Sequence, residues 1–206
     1  MAAVLASSSG VLGADEAAPV QKPDLKVGET WRYRATDYPS NLPRVRTSEV
    51  RITFVGPNEV LTVDRGDRDS VWTGEWSVLS RGGPGITYDK PRRLLNFPLK
   101  VGNSHQVTFE VVSKRGTDAR SRFEETVKVV GWEDVVVPAG RFRALKLEAS
   151  GTFQRLDARG AGWTRREIWY VPEVKRWVKS TYAEGHGAPT SDYQKNVDEL
   201  IAFKVQ

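Results

Sequence analysis

The sequence predicts an all-β protein, an antiparallel meander forming a curved sheet, open barrel or sandwich with at most one or two short helices. Three observations predict it. From residue 28 onward bulky residues fall on alternate positions, as half-buried strands require. Short Gly, Pro and Asn punctuators separate these runs. No helical stretches of crossover length lie between them, so a parallel sheet has nothing to build it. The run from Gln106 to Val112 shows the alternation plainly: Val107, Phe109 and Val111 point one way, Gln106, Thr108 and Glu110 the other.

The first strand follows "DLKVGETWRYRAT" (residues 24–36), where Trp31, Tyr33 and Ala35 share a face. The same Leu-Lys-Val-Gly returns in "LLNFPLKVGNSHQVTFE" (94–110), so two equivalent strand starts are expected, with Gly28 and Gly102 supplying backbone freedom. Further strands are expected over 46–55, 58–64, 70–79, 121–131, 141–149, 163–171 and 174–182. The last covers 197–205, with Ile201, Phe203 and Val205 inward. Gly56-Pro57-Asn58, Val137-Pro138-Ala139-Gly140 and Pro172-Glu173 are short enough to reverse the chain into a neighbouring strand. A short helix is expected over Asp89–Asn96. The longest candidate loop spans residues 80–98 and contains Gly82-Gly83-Pro84-Gly85; loops of that length often carry binding.

The chain of 206 residues suits one domain, read as 24–206, although the repeat also allows two lobes, 25–98 and 99–206. Residues 1–23 read as a signal-like or disordered segment: small and apolar residues lead through Leu12-Gly13-Ala14 into a polar, Pro-containing stretch, though Lys22 is the first basic residue. The absence of cysteine excludes thiol nucleophiles, Cys-ligated zinc and iron–sulfur sites. A net charge of +5 is spread along the strands, which reads as a solvated surface compatible with peripheral contact to anionic lipid and gives no nucleic-acid motif.

Four phrases, "LNFPLKVGNSH", "VVVPAGRFRALKLE", "IWYVPEVKRWVKS" and "DELIAF", resemble an exported Gram-negative β-rich family catalogued as a domain of unknown function. The likeness covers most of the chain after residue 25. Pro138-Ala139-Gly140 matches the family's VPAG turn and Trp169-Tyr170-Val171-Pro172 its Trp-Tyr-x-Pro turn; His105 stands where the family has an aromatic residue, usually Trp. The resemblance implies a periplasmic or otherwise exported envelope protein and assigns no catalytic residue.

The residues themselves offer no catalytic constellation. The two histidines, His105 and His186, have no Gly-x-Ser-x-Gly elbow to serve, and they are too few for a dedicated zinc site. No metal site and no cofactor are expected. Tryptophan is the richer signal. Trp72 and Trp76 share a face on the expected 70–79 strand, as do Trp163 and Trp169 on theirs. They read either as core or as an aromatic platform, with Arg165, Arg166 and Tyr170 supplying polar contacts. The expected function is non-enzymatic binding of a hydrophobic or amphiphilic cell-envelope component, a lipid or glycan, in a cavity or on a concave sheet. A protein–protein assembly module is the alternative, and a hydrolase the third reading.

Overall fold

Alternating side chains need two environments, and the chain provides them by closing on itself. The computed structural model describes residues 18–38, 42–64, 68–82, 85–114, 118–186 and 193–206. The expectations placed on Leu12-Gly13-Ala14 and on Gly83-Pro84 fall outside them. Among the described residues twelve strands form a closed antiparallel barrel. They are β1 (Thr30–Tyr38), β2 (Arg44–Val55), β3 (Val60–Asp64), β4 (Arg68–Trp72), β5 (Val78–Arg81) and β6 (Ile86–Arg92). There follow β7 (Ser104–Ser113), β8 (Ala119–Val137), β9 (Gly140–Arg155), β10 (Ala161–Val171), β11 (Arg176–Gly185) and β12 (Tyr193–Lys204). Every strand pairs with its neighbours in sequence, and β12 returns to pair with β1. Closure of this kind removes the outer edges that an open sheet would expose.

The repeated phrase explains how the sheet is anchored. Gly28 and Gly102 both take positive φ, 91° and 88°, which only glycine adopts without strain. Gly28 N–H donates to the Ile52 carbonyl and Gly102 N–H to that of Val129, both at 2.9 Å. Ile52 and Val129 return the bond to Glu29 and Asn103. Each copy thus clips one strand start to the following strand, and six strands follow each copy. Leu25 and Leu99 are buried while Val27 and Val101 are exposed, so the two phrases also present the same faces. The chain is paired as far back as Val20, which exchanges two 2.8 Å backbone bonds with Leu99.

These turns gather at one end of the barrel. A 3-10 turn, Pro172–Val174, sits there under the family-like Trp-Tyr-x-Pro phrase, and Trp31 Nε1–H donates to the Val174 carbonyl at 2.8 Å. Lys175, in left-handed conformation, reaches the buried Glu29 carboxylate at 2.6 Å and the carbonyls of Asp24 and Gln206. The VPAG turn joins β8 to β9, with Gly140 at φ 137°, and Ala139 N–H docks on the Leu200 carbonyl of β12.

Three expectations are corrected. Residues 70–79 do not run as one strand: β4 ends at Trp72 and a turn intervenes, tied by Thr73 N–H to the Ser77 carbonyl, with Trp76 at φ 59°. No helix forms over Asp89–Asn96, because Ile86–Arg92 continues as β6, whose pairing with β7 is limited to Ile86–Tyr88. In β12 a register shift near Ile201 puts Leu200 inward and leaves Phe203 exposed.

Candidate functional site

The opposite end of the barrel, where β1, β5, β7 and β11 end and β2, β6, β8 and β12 begin, holds a cavity of about 280 Å³. Its lining follows from strand phase. On β10, Thr164, Arg166 and Ile168 take the inward positions; on β11, Ser180 and Tyr182; on β12, Asn196 and Asp198. Ile86, Phe109, Val111 and Phe123 supply an apolar wall, in which Phe109 and Phe123 stack at 5.1 Å with their planes 1° apart. Four arginines line the same space, Arg46, Arg81, Arg92 and Arg166, against a single lining carboxylate, Asp198.

Two of these cations are already paired. Arg92 makes a two-pronged bond to Glu125, at 2.6 and 3.1 Å, and Thr164 Oγ1–H donates to the same carboxylate at 3.0 Å. All three residues are buried. Burial opposes the charge on Arg92, but the Glu125 carboxylate outweighs it and leaves the pKa above the ordinary arginine value. Arg46 is held at the rim by Asp37, at 3.1 and 3.4 Å.

The other two are differently placed. The Arg166 guanidinium stacks 4.6 Å over the Tyr182 ring, and its Nε is buried without a hydrogen-bond partner. Burial, followed by the nearby positive charge of Arg92, lowers its pKa to about 10, so it stays cationic at neutral pH. Arg81, exposed at the mouth, lies 5.8 Å over Trp72 and makes no ion pair with a described residue. Asp198 accepts a long 3.5 Å bond from Ser180, and burial raises its pKa in spite of Arg46, Arg166 and Arg81.

The six residues singled out from the sequence do not converge. Trp72 and Trp76 lie inside, their N–H groups bonded to Thr62 Oγ1 and the Lys175 carbonyl at 2.9 and 2.8 Å. Tyr170 is also interior, edge-on to Phe97 at 5.5 Å. Trp163, Arg165 and Trp169 take the other phase of β10 and face outward. Trp169 lies opposite Lys146 and Lys179 on the two flanking strands, both within 5.4 Å of its ring, and bonds Glu133. Of the adjacent pair Arg165-Arg166, only Arg166 enters the cavity. The sequence reading did not place Arg81, Arg92, Tyr182 or Asp198 in a ligand site. A usable signal was present: Arg81 and Ile86 flank the glycine-rich stretch and both line the cavity.

No family model and no curated protein matches the sequence. Solved structures do match the fold. A candidate lipoprotein from Parabacteroides distasonis aligns with TM-score 0.55 and 11% identity, over 91% of this chain and all of that one. A candidate exported protein from Bacteroides fragilis, described as having a YmcC-like fold, gives 0.52 and 16% over the same shares. The barrel is YmcC-like. The hypothetical lipoprotein YmcC from Escherichia coli itself gives 0.50 and 9%, over 84% of each chain. At such identities the YmcC-like likeness is one of fold alone.

Proposed function

We propose that this chain is an exported, non-enzymatic binding protein that holds an amphiphilic cell-envelope molecule in the open end of its barrel. The observation that carries the reading is the two-sided lining of the cavity: an apolar wall of Ile86, Phe109, Val111 and Phe123 faces Arg166, Ser180, Tyr182 and Asn196. A purely hydrophobic ligand would strand those polar groups, and a purely polar one would leave the phenylalanines wet. Small-molecule sites typically run from roughly 300 Å³ upward, so about 280 Å³ suits a headgroup with the start of a chain that continues past the mouth. Export is supported by the family-like phrases and by the descriptions of the matched structures as lipoproteins or exported proteins.

Native mass spectrometry of protein recovered from an envelope fraction tests this. The expected result is a bound small molecule that organic extraction removes and that is reduced in a Val111→Trp variant, whose indole fills the cavity. A bare protein mass, together with no response to an added fluorescent amphiphile, overturns the reading.

A further inference from the structure

The cavity contains more cationic charge than its own carboxylates balance. Arg92 is committed to Glu125 by two hydrogen bonds and Arg46 to Asp37 by two more. That leaves Arg166 and Arg81 facing one carboxylate, Asp198. Two guanidiniums against one carboxylate leave one positive charge over, partly removed from water, which is costly until an anion meets it.

The placement of Arg166 suits such an anion. Tyr182 covers one face of the guanidinium at 4.6 Å, which holds the plane in position and leaves the in-plane N–H donors for a ligand. Its Nε has no partner in the protein. Ser180 on the adjacent β11 and Asn196 on β12 beyond it add neutral polar groups to the same lining. Arg176, the other buried guanidinium with unpartnered nitrogens, does not line the cavity.

We infer that the cavity recognises an oxyanion, a phosphate or carboxylate headgroup, held between the guanidinium groups of Arg166 and Arg81 with the ligand's apolar part on Phe109 and Phe123. This rests on the reading of the cavity as an amphiphile site. A planar fork of N–H donors matches either oxyanion in two-point fashion, and such charge-assisted bonds are the stronger kind. One bound oxyanion neutralises the remaining charge.

Calorimetric titration tests the inference with four probes: dodecyl phosphate, dodecanoate, dodecanol and inorganic phosphate. The proteins are wild type, Arg166→Gln, Arg81→Gln and, as control, the outward Arg165→Gln. Dodecyl phosphate and dodecanoate are expected to bind wild type at least about tenfold tighter than dodecanol, the scale of one charge-assisted contact. R166Q and R81Q each remove that advantage, while R165Q keeps it. R81Q alters an exposed residue, so it carries the test if R166Q fails to fold. Equal affinity for dodecanol and dodecyl phosphate, or unchanged affinity in folded R166Q and R81Q, overturns the oxyanion while leaving the amphiphile reading standing. Arginine-dependent binding of inorganic phosphate without binding of any dodecyl compound does the reverse. Binding of none of the four overturns both.

Discussion

The guanidinium of Arg176 lies 4.0 Å from the ring centroid of Trp76 and 4.1 Å from that of Trp177, with Trp72 and Trp31 at 5.2 and 5.6 Å. It is buried, and its Nε and Nη1 have no hydrogen-bond partner. The aromatic faces are what meet its charge. Burial lowers its pKa to about 10, with Tyr33 opposing the change, so the cation persists at neutral pH. Desolvated cation–π contacts are worth about 2 kcal/mol or more, which offsets part of the burial cost. Two of the tryptophans with the spacing of a ligand platform therefore surround the protein's own side chain.

Trp76→Ala is accordingly expected to destabilise the fold by about 3–5 kcal/mol, as large-to-small core changes do. Arg176→Met retains volume and removes a desolvated charge, so its cost should stay within about 1 kcal/mol. Chemical denaturation midpoints of the two variants check this; a larger loss for Arg176→Met than for Trp76→Ala would reverse the ranking.

The outward residues of β10 behave differently. Arg165 is exposed, so Arg165→Ala should change stability by no more than about 0.5 kcal/mol. Trp169 is buried beneath Lys146 and Lys179 and should cost more, but neither Trp163→Ala nor Trp169→Ala should alter the affinity of a cavity probe. Loss of probe binding in either folded variant would put the site on the outer face.

Glu125 is the counterweight to Arg92 where β6 leaves β7. Glu125→Ala strands a buried guanidinium and should cost about 3–5 kcal/mol, whereas the double change Arg92→Met with Glu125→Leu should recover much of that loss. Thermal melts of the single and double variants measure the coupling; additive losses would show that the pair does not act as a unit.

The class of fold was legible because strand alternation is a local property, and the LKVG phrase marks equivalent starts because the same glycine conformation is needed twice. Barrel closure is not local. It depends on β12 meeting β1 in register from Thr30 opposite Lys204 to Tyr38 opposite Lys195, and on Glu29 accepting from Lys175 and Gln206, pairings between the two ends of the chain that no window of sequence reveals. The 70–79 run misled because alternation continues through the turn, while the positive φ at Trp76 leaves no mark on composition. The site was half legible for the same reason. Arg166 stood next to Arg165, but only the phase shared with Thr164 and Ile168 sends it inward, and Asp198 joins it from β12, two strands away around the barrel wall.

Asp198 also gives the protein a pH signature. Its carboxyl is surrounded by Arg46, Arg166 and Arg81, with Asp37 and Ser180 nearby, and burial still raises its pKa above the ordinary value of 3.8. The folded protein therefore retains this proton after the unfolded chain has released it. Below pH 3.8 both states are protonated and the group makes no pH-dependent contribution. As pH rises from there through the folded-state value, unfolding releases the proton, so Asp198 becomes a penalty that is complete once the folded carboxyl has ionised. Asp198→Asn removes the penalty while keeping the shape. The variant is expected to melt above the parent at pH 7, the gap narrowing on acidification and vanishing below pH 3.8 if no other contact is changed. It also removes the negative charge that faces Arg166, so dodecyl phosphate should bind it more tightly. Paired thermal melts between pH 3 and pH 7, with one titration at pH 7, check both effects; a variant less stable at pH 7, or a gap that widens towards acid, would show that the Asp198 charge is compensated by its arginines.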